Sequence, residues 1–242
     1  MSRLFPDRLL LTLSPAGIAG VREAVFPKKK ILDRKSVACD PAFGAEPWHG
    51  ALAALQAQRF DFPARVDVVL SDRFVRYAVL PWSGGLSGAA EEEAYVRHHF
   101  TKIHGDKAKG WAVRASPAGA GAPRLASAID GALLEAIRKV FPKNGKAKLA
   151  SVQPQLMARF NAANLKLPAE GAWLVLAEPE RACIALHARG GWRSVQNAKG
   201  AWLTLLERER YRLAGEAPSL VLLAGARAPA AAGAWRFQEI AA

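Results

Sequence analysis

Asp67 and Asp72 are the acidic residues best placed for metal-dependent chemistry, because they flank an apolar run that predicts a β-strand. Two-metal nucleases need several carboxylates at neighbouring strand ends, where they hold ions about 4 Å apart. The first predicted strand, Arg8–Leu13, supplies no acidic side chain, and no third partner for the pair is evident. A catalytic site needs mutual geometry rather than isolated carboxylates. The sequence therefore disfavours a nuclease of the ribonuclease-H class.

Three of the five histidines, His98, His99 and His104, lie on one predicted helix, Ala89–His104. A zinc site of the HExxH kind needs histidines at positions i and i+4 with a glutamate between them, and that spacing is absent. A polar helix face explains these residues better than a metal site. The loop Gly84–Gly88 has no strand–glycine–helix context, so it predicts a flexible turn rather than a phosphate cradle.

Cys39 and Cys183 are the two cysteines, and they stand far apart in strand-like runs. Neither has the CxxC spacing of a metal knuckle or a redox motif. Buried, reduced thiols are the expected state.

The elements that would position reactive groups occur twice in the chain, which is the strongest architectural signal in the sequence. In the first half the pattern predicts a helix from Pro47 to Phe60 and four strands, Arg8–Leu13, Ile18–Phe26, Ile31–Cys39 and Val66–Leu70. In the second half it predicts a helix Ala201–Leu213 and the strands Ala172–Ala177, Ala182–Ala188, Trp192–Asn197 and Leu220–Leu223. Order and approximate lengths agree, and a proline precedes the fourth strand in both halves. We therefore predict a duplicated β-β-β-α-β core.

A middle region separates the two halves. It predicts helices Ala89–His104, Gly131–Phe141 and Gln155–Asn164 and strands Gly110–Ser116, Arg124–Ile129 and Lys148–Val152. The predicted domains are a first half over 1–85, an inserted α/β subdomain with its connector over 86–167, and a second half over 168–242. Ile129-Asp130 and the helix that follows have the pattern of a strand–helix–strand crossover.

The segment Val66–Trp82 is the most informative single stretch. By pattern alone it predicts a hairpin, with two β-branched and aromatic strands joined by a polar turn at Ser71–Arg73. Its residues Val66–Asp72 and Phe74–Pro81, followed by the acidic helix start Glu91–Glu93, resemble the actin-like assembly proteins of bacterial pilus and secretion machines. These are the PilM-type protein of type IV pili and the cytoplasmic part of the GspL-type protein of type II secretion. The resemblance implies an α/β protein of ribonuclease-H-like, actin-like ATPase fold with two lobes.

The resemblance also implies where a nucleotide would bind. Actin-type ATPases have two phosphate-binding hairpins, each with an Asp at the end of its first strand and a Gly and a hydroxyl residue in the turn. The corresponding stretch in the first half, Leu11–Gly17, has no acidic residue, and Pro15 removes an amide donor. In the second half Pro179 stands where a flexible glycine is needed, beside Glu178 and Glu180.

The third element of such a site is a Gly-Gly loop beside the adenosine, of which Gly225 alone remains. The degenerate phosphate and adenosine positions are Ser14, Gly17, Glu178 and Gly225. We therefore expect a pseudo-ATPase with no catalytic residues, no metal and no cofactor. An actin-like ATPase with unorthodox phosphate loops remains as an alternative.

The chain is strongly basic, with 34 Lys and Arg against 21 Asp and Glu, a formal charge of +13 and a pI near 10.2. Such a charge favours anionic partners. The clusters Lys28–Lys30 and Lys143, Lys146, Lys148 are interpreted as solvated loops. A nucleic-acid-binding or processing module is the other alternative, but basic residues are not interleaved with aromatics along one element as strand-stacking binders show.

The resemblance predicts a non-catalytic scaffold that docks the cytoplasmic tail of a single-span, PilN-like membrane protein, with the motor ATPase as a further partner. The proposed docking residues are Arg73, Arg76, Tyr77 and Trp82. Trp82 and Trp192 are the tryptophans expected to be exposed anchors, since both lie at predicted turns. With no signal peptide and no run of twenty apolar residues, a cytoplasmic protein recruited to the inner face of the inner membrane is expected. Homodimer formation stays open.

Overall fold

The computed structural model describes residues 6–86, 88–163, 167–213, 217–231 and 233–240. Its strands are β1 (Asp7–Ser14), β2 (Gly17–Ala24), β3 (Lys30–Ala38), β4 (Ala64–Leu70), β5 (Val75–Leu80), β6 (Trp111–Ala115), β7 (Arg124–Asp130), β8 (Ala147–Pro154), β9 (Ala172–Glu178), β10 (Arg181–Ala188), β11 (Gly191–Lys199), β12 (Leu220–Ala224) and β13 (Arg236–Glu239). Its α-helices are α1 (His49–Gln56), α2 (Ala89–His104), α3 (Gly131–Val140), α4 (Gln155–Ala163) and α5 (Trp202–Leu213). Ser87 and Asn164, which belong to a predicted loop and a predicted helix, lie outside the described residues.

The described chain forms two compact units. The first comprises residues 6–75, 110–112 and 129–158, and the second comprises 76–109, 113–128 and 159–240. The domain boundaries predicted from the sequence, at residues 85 and 167, stay a prediction.

The first unit contains a five-stranded sheet in the order β3-β2-β1-β4-β8. β1 and β2 are antiparallel, as are β2 and β3, whereas β1, β4 and β8 run parallel to their neighbours. Strand β1 alternates, so Leu9, Leu11 and Leu13 are buried while the residues between them are more exposed. Helix α1 packs against β1, β2 and α3 and buries Leu52 and Leu55.

The second unit contains a five-stranded sheet in the order β11-β10-β9-β12-β13, with the same parallel and antiparallel relations. Helix α5 packs against β9 and β10. The core of this sheet includes Trp173, Ile184, Leu206 and Val221, and the Trp173 and Trp235 rings meet edge to face with centroids 6.1 Å apart. The duplicated β-β-β-α-β core is therefore confirmed, strand for strand.

Each of the two large sheets also has a fifth strand that the predicted β-β-β-α-β core lacks. β8 pairs with β4 in the first sheet, although the sequence analysis assigned this segment to the middle region. β13 pairs with β12 in the second sheet and was not predicted at all. β7 and β8 belong to different sheets, so β7, α3 and β8 do not form the strand–helix–strand crossover within one sheet that the pattern suggested. A parallel partner cannot be recognised from a short run alone, because its register depends on a distant strand.

The hairpin that the segment Val66–Trp82 predicts does not form. β4 joins the first five-stranded sheet, whereas β5 pairs in a separate three-stranded sheet of order β5-β7-β6. Asp72–Phe74 is a 3₁₀ turn, capped by the Ser71 hydroxyl, which accepts a hydrogen bond from the Arg73 backbone N–H at 3.1 Å. The turn therefore links two strands that belong to different sheets.

Candidate functional site

The turn between β1 and β2 occupies the position of the first expected phosphate hairpin. Ser14 pairs with Gly17 in the strand register, so only Pro15 and Ala16 form the turn. Pro15 has no backbone N–H, and the Ser14 hydroxyl donates to the Gly17 carbonyl oxygen at 3.2 Å. Neither group can therefore bind a phosphate oxygen in this arrangement.

Cys39, the residue that follows β3, forms two hydrogen bonds to the backbone of the same turn. The Cys39 backbone N–H donates to the Ala16 carbonyl oxygen at 3.0 Å, and the Cys39 thiol donates to that of Pro15 at 3.3 Å. Gly17 has a φ of +149°, and a Cβ at that position would lie 2.2 Å from the Val37 carbonyl oxygen. The glycine therefore serves close backbone packing inside the sheet.

The turn between β9 and β10 occupies the second position and also has two residues. Glu178 pairs with Arg181, so Pro179 and Glu180 alone form the turn, with Glu180 at a φ of +60°. The Glu180 carbonyl oxygen accepts a hydrogen bond from the Gly200 N–H at 2.9 Å. Both turns therefore have two residues with proline first, and none of these four turn residues is a glycine or carries a hydroxyl group.

Charge at the second turn also works against an anion. Glu178 and Glu180 supply carboxylates, while the guanidinium of Arg181 donates to the side-chain oxygen and the backbone carbonyl of Asn197, both at 3.0 Å. The arginine is thus engaged with β11. Two carboxylates beside a short turn repel a phosphate group.

Gly225, the remaining glycine of the expected adenosine loop, lies directly after β12. Its φ is +79°, and a Cβ there would lie 2.0 Å from the Ala177 carbonyl oxygen. The backbone of this loop therefore approaches the end of β9 closely, and a structural requirement is sufficient to explain the glycine.

Asp67 and Asp72, the acidic pair noted in the sequence, are buried and engaged within the first unit. The Asp67 carboxylate accepts from Arg8 Nε at 3.0 Å and from the Ser151 hydroxyl at 2.7 Å. The Asp72 carboxylate accepts from the Leu156 N–H at 3.2 Å, at the start of α4. These bonds join β1, β4, β8 and α4, so both carboxylates stabilise the fold.

No cluster of three or more His, Cys, Asp or Glu side chains able to hold a metal ion occurs within the described ranges. On α2, burial lowers the pKa of His99, and nearby cations including Lys102 act in the same direction. Burial also lowers the pKa of His104, together with the charge of Arg76. These two imidazoles, of His99 and His104, therefore favour their neutral forms near pH 7.

The thiols differ in burial. Cys183 is buried, whereas Cys39 is only partly buried. Burial, and then the nearby Asp40 carboxylate, raise the pKa of the Cys39 thiol. It therefore stays protonated near neutral pH, as its hydrogen bond to Pro15 requires.

The proposed docking residues fall on either side of the start of β5. Arg73 is half-buried in the 3₁₀ turn of the first unit. In the second unit, Arg76 is exposed, Tyr77 is half-buried, and Trp82 is 47% exposed two residues beyond the strand. We call Arg76, Tyr77 and Trp82 the β5 surface.

An edge strand and a pocket lie next to the β5 surface. β5 is an edge strand with β7 as its neighbour, and edge strands can accept an extended segment by backbone hydrogen bonding. A pocket lies beside the end of β5, and the Glu92–Arg124 ion pair, at 2.7 Å, belongs to its wall. The other lining residues are Leu80, Pro81, Ser83, Leu86, Tyr95, Val96 and Ala115.

The prediction that Trp192 is an exposed anchor is wrong. Its side chain is buried, with ring centroids 4.6 Å from Phe160 and 5.3 Å from His187. Although Trp192 follows a turn, the C-terminal part of α4 covers it, and this contact joins residues far apart in sequence. The exposed apolar side chains at the end of the β2–β3 hairpin were not predicted from the sequence. Residues 33–36 of β3 are all polar or charged, and this run was the available signal that the strand is exposed.

None of the helices in the described part of the chain has the length and apolar character of a membrane span.

No protein-family model matches the sequence, and no curated protein matches it either. Solved structures do match, and the following three are each 14% identical in sequence to this chain. A Bacteroides thetaiotaomicron protein with an actin-like ATPase fold and unknown function gives a TM-score of 0.61 over 92% of this chain and 83% of its own. The cytoplasmic domain of EpsL, an inner-membrane component of the Vibrio cholerae type II secretion system, gives 0.60 over 97% and 90%. A PilM–PilN type IV pilus biogenesis complex gives 0.62 over 89% and 80%. The chain therefore has the actin-like ATPase fold.

Proposed function

We propose that this protein is a non-catalytic, actin-like scaffold of the inner-membrane platform that assembles a type IV pilus or a type II secretion system. It works on the cytoplasmic side, recruited to the inner face of the inner membrane by the tail of a single-span, PilN-like partner. A motor ATPase is its second partner. The likeness to the EpsL domain and to the PilM–PilN complex supports this role.

The observation that carries the proposal is the pair of two-residue proline turns. Nucleotide hydrolysis on this fold depends on two hairpins that grip the phosphates, and here both turns are short and bonded to their own sheets. The frame of the sheet is retained although neither turn offers a phosphate cradle. A fold kept without its catalytic loops is best explained by a binding role.

The docking site in this proposal is the β5 surface, with Arg73 at the turn before it. An extended tail adds to the outer edge of β5 in its three-stranded sheet, its acidic groups meet Arg76, and an apolar side chain packs against Trp82. Aromatic and arginine side chains are the residues that most often dominate binding energy at protein interfaces. The net charge of the chain increases the association rate with an acidic tail.

Binding to the cytoplasmic tail of a single-span, PilN-like protein tests the proposal. A fluorescently labelled tail should bind the full chain, and Arg76→Glu combined with Trp82→Ala should weaken it by at least about tenfold. Tyr211→Ala is the matched control, because Tyr211 on α5 is the most exposed aromatic of the second unit, at 83%. No binding by the unaltered chain, or equal loss in the control, would contradict the docking site.

The absence of nucleotide function is tested separately. Thermal unfolding with and without Mg-ATP should give the same midpoint, since only a ligand that binds the folded state raises it. A clear rise in the midpoint would show a working nucleotide site and would favour the unorthodox ATPase.

A further inference from the structure

The end of the β2–β3 hairpin exposes apolar side chains that a folded protein normally buries. Val25 and Phe26 precede the connecting turn and are 55% and 66% exposed, while Ile31 and Leu32 follow it and are 43% and 40% exposed. All four lie within residues 25–32, at one end of the first sheet. Exposed large apolar groups concentrated in one region mark a surface that meets something else.

A dense positive charge lies within the same hairpin end. Lys28 and Lys29 lie in the connection between β2 and β3, Lys30 begins β3, and all three are exposed. Residues 25–35 carry five Lys or Arg, and Asp33 is the one acidic residue among them. Lys29 pairs with Glu23 at 3.3 Å, while the residues that the structure describes provide no ion pair for Lys28 or Lys30. We call residues 25–32 the basic–apolar tip.

We propose that the basic–apolar tip binds the surface of an anionic lipid bilayer. Its apolar side chains enter the boundary between headgroups and acyl chains, and its lysines pair with the lipid phosphates. Amphipathic segments with lysines beside large apolar groups bind such surfaces by these two contributions. The inference goes beyond the proposed scaffold role, because it concerns contact with lipid and is independent of the tail that binds at β5.

The charged residues and the irregular pairing of β3 argue against a further β-strand as the partner of the tip. β3 is an edge strand, but it carries Lys30, Arg34 and Lys35, and its pairing with β2 is irregular between Arg22 and Glu23. Charged side chains and bulges are the features by which edge strands avoid pairing with a further strand. The exposed apolar groups are also concentrated at the tip rather than along the whole edge.

Vesicle co-sedimentation of the full chain tests the proposal. The chain should bind vesicles of phosphatidylethanolamine and phosphatidylglycerol, and should stay in solution with neutral phosphatidylcholine vesicles. Phe26→Ser with Ile31→Ser should reduce the bound fraction by at least about fivefold at equal charge, since two large apolar groups no longer enter the boundary. Lys28→Gln, Lys29→Gln and Lys30→Gln combined should reduce it by at least about tenfold.

The chain contains its own matched control. Lys143, Lys146 and Lys148 are three exposed lysines in the same unit, without exposed large apolar neighbours. Their combined change to Gln alters the net charge equally and should leave most of the binding intact.

The proposal is overturned if the Lys143, Lys146 and Lys148 control loses as much vesicle binding as the tip lysine variant, or if the Phe26 and Ile31 variant binds vesicles as well as the unaltered chain. Either result would mean that vesicle binding is general charge attraction. The proposal is also overturned if the unaltered chain binds no vesicles but self-associates through the tip, since the tip would then bind a second copy.

Tail binding should be retained in every tip variant. This measurement distinguishes failure of the lipid proposal from failure of the scaffold role.

Discussion

The two outer strands of the duplicated sheets, β3 and β11, have the same place in the topology but different surroundings. β3 is exposed along almost its whole length, with Val37 the best covered of its residues. β11 buries Gly191, Trp192 and Ser194. Trp192 packs against Phe160 of α4, and the Ser194 hydroxyl donates to Glu209 of α5. Duplication thus preserved the hydrogen-bonded frame, while the packing around it diverged and left the outer strand of the first sheet accessible.

The largest test of this comparison is truncation of an apolar side chain on each outer strand. Trp192→Ala should lower the free energy of unfolding by about 3–5 kcal/mol, because it removes a buried ring from an aromatic cluster. Leu32→Ala on β3 should change it by less than about 0.5 kcal/mol, since the side chain is already partly in water. Urea denaturation measures both values, and comparable losses would show that β3 is packed as tightly as β11.

The two short turns provide the next test, because close packing of the first turn depends on Gly17. Gly17→Ala should lower the free energy of unfolding by roughly 2–3 kcal/mol, as a Cβ would meet the Val37 carbonyl and force the backbone to shift. Gly85→Ala is the control, because a Cβ there meets nothing within 4 Å. A neutral effect of Gly17→Ala would show that this turn is loose enough to open.

A smaller effect is expected from the buried network that supports β11, in which Ser194 and Arg212 bond to Glu209. Burial raises the pKa of Glu209, but hydrogen bonds from Arg212 and Ser194 and the charge of Arg212 outweigh it, so the net pKa is lowered. Because the carboxyl pKa is lower in the folded state, this group stabilises the fold at pH values above its unfolded-state pKa. The contribution is lost as the pH falls through the folded-state pKa.

Glu209→Gln should therefore lower the free energy of unfolding by about 1–2 kcal/mol at pH 7. The difference from the unaltered chain should shrink as the pH falls below about 4. Thr204→Ala, at an exposed position of the same helix, is the control. A difference that stays constant with pH would contradict the role of the charge.

The smallest expected effect concerns His187, which lies in the aromatic cluster with Trp192. Burial lowers the pKa of this imidazole, so the unfolded chain takes up the proton first as the pH falls. The fold should lose stability as the pH falls below about 6.5, by less than about 1 kcal/mol, until the folded-state value is passed. In the His187→Gln variant the denaturation midpoint should depend less on pH over this range. An unchanged pH dependence would show that another group causes the loss of stability.

Much of the fold could be predicted from the sequence because its signals are local. The alternation of Leu9, Leu11 and Leu13, and the proline before each fourth strand, lie within a few residues of the elements that they specify. The predicted helix Ala89–His104 matches α2 residue for residue. The prolines of both turns could also be read from the sequence. The two-residue length of the turns could not, because it depends on strand register.

The candidate site was predicted less completely, because it depends on pairings between distant residues. The run Val66–Trp82 contains no signal that β5 pairs with β7 some fifty residues later rather than with β4. The exposure of Phe26 and the burial of Trp192 were both missed for the same reason. Each depends on whether another element covers the side chain.

Element order, the internal duplication and the prolines of the two short turns were determined by the amino-acid sequence itself, since periodicity, prolines and glycines act over one turn or one strand. Tertiary structure alone decided which strand became an exposed edge, which tryptophan entered the core and where charge and apolar surface met on one hairpin. Those outcomes depend on contacts between distant segments, because burial is a property of the assembled sheets and not of any single strand.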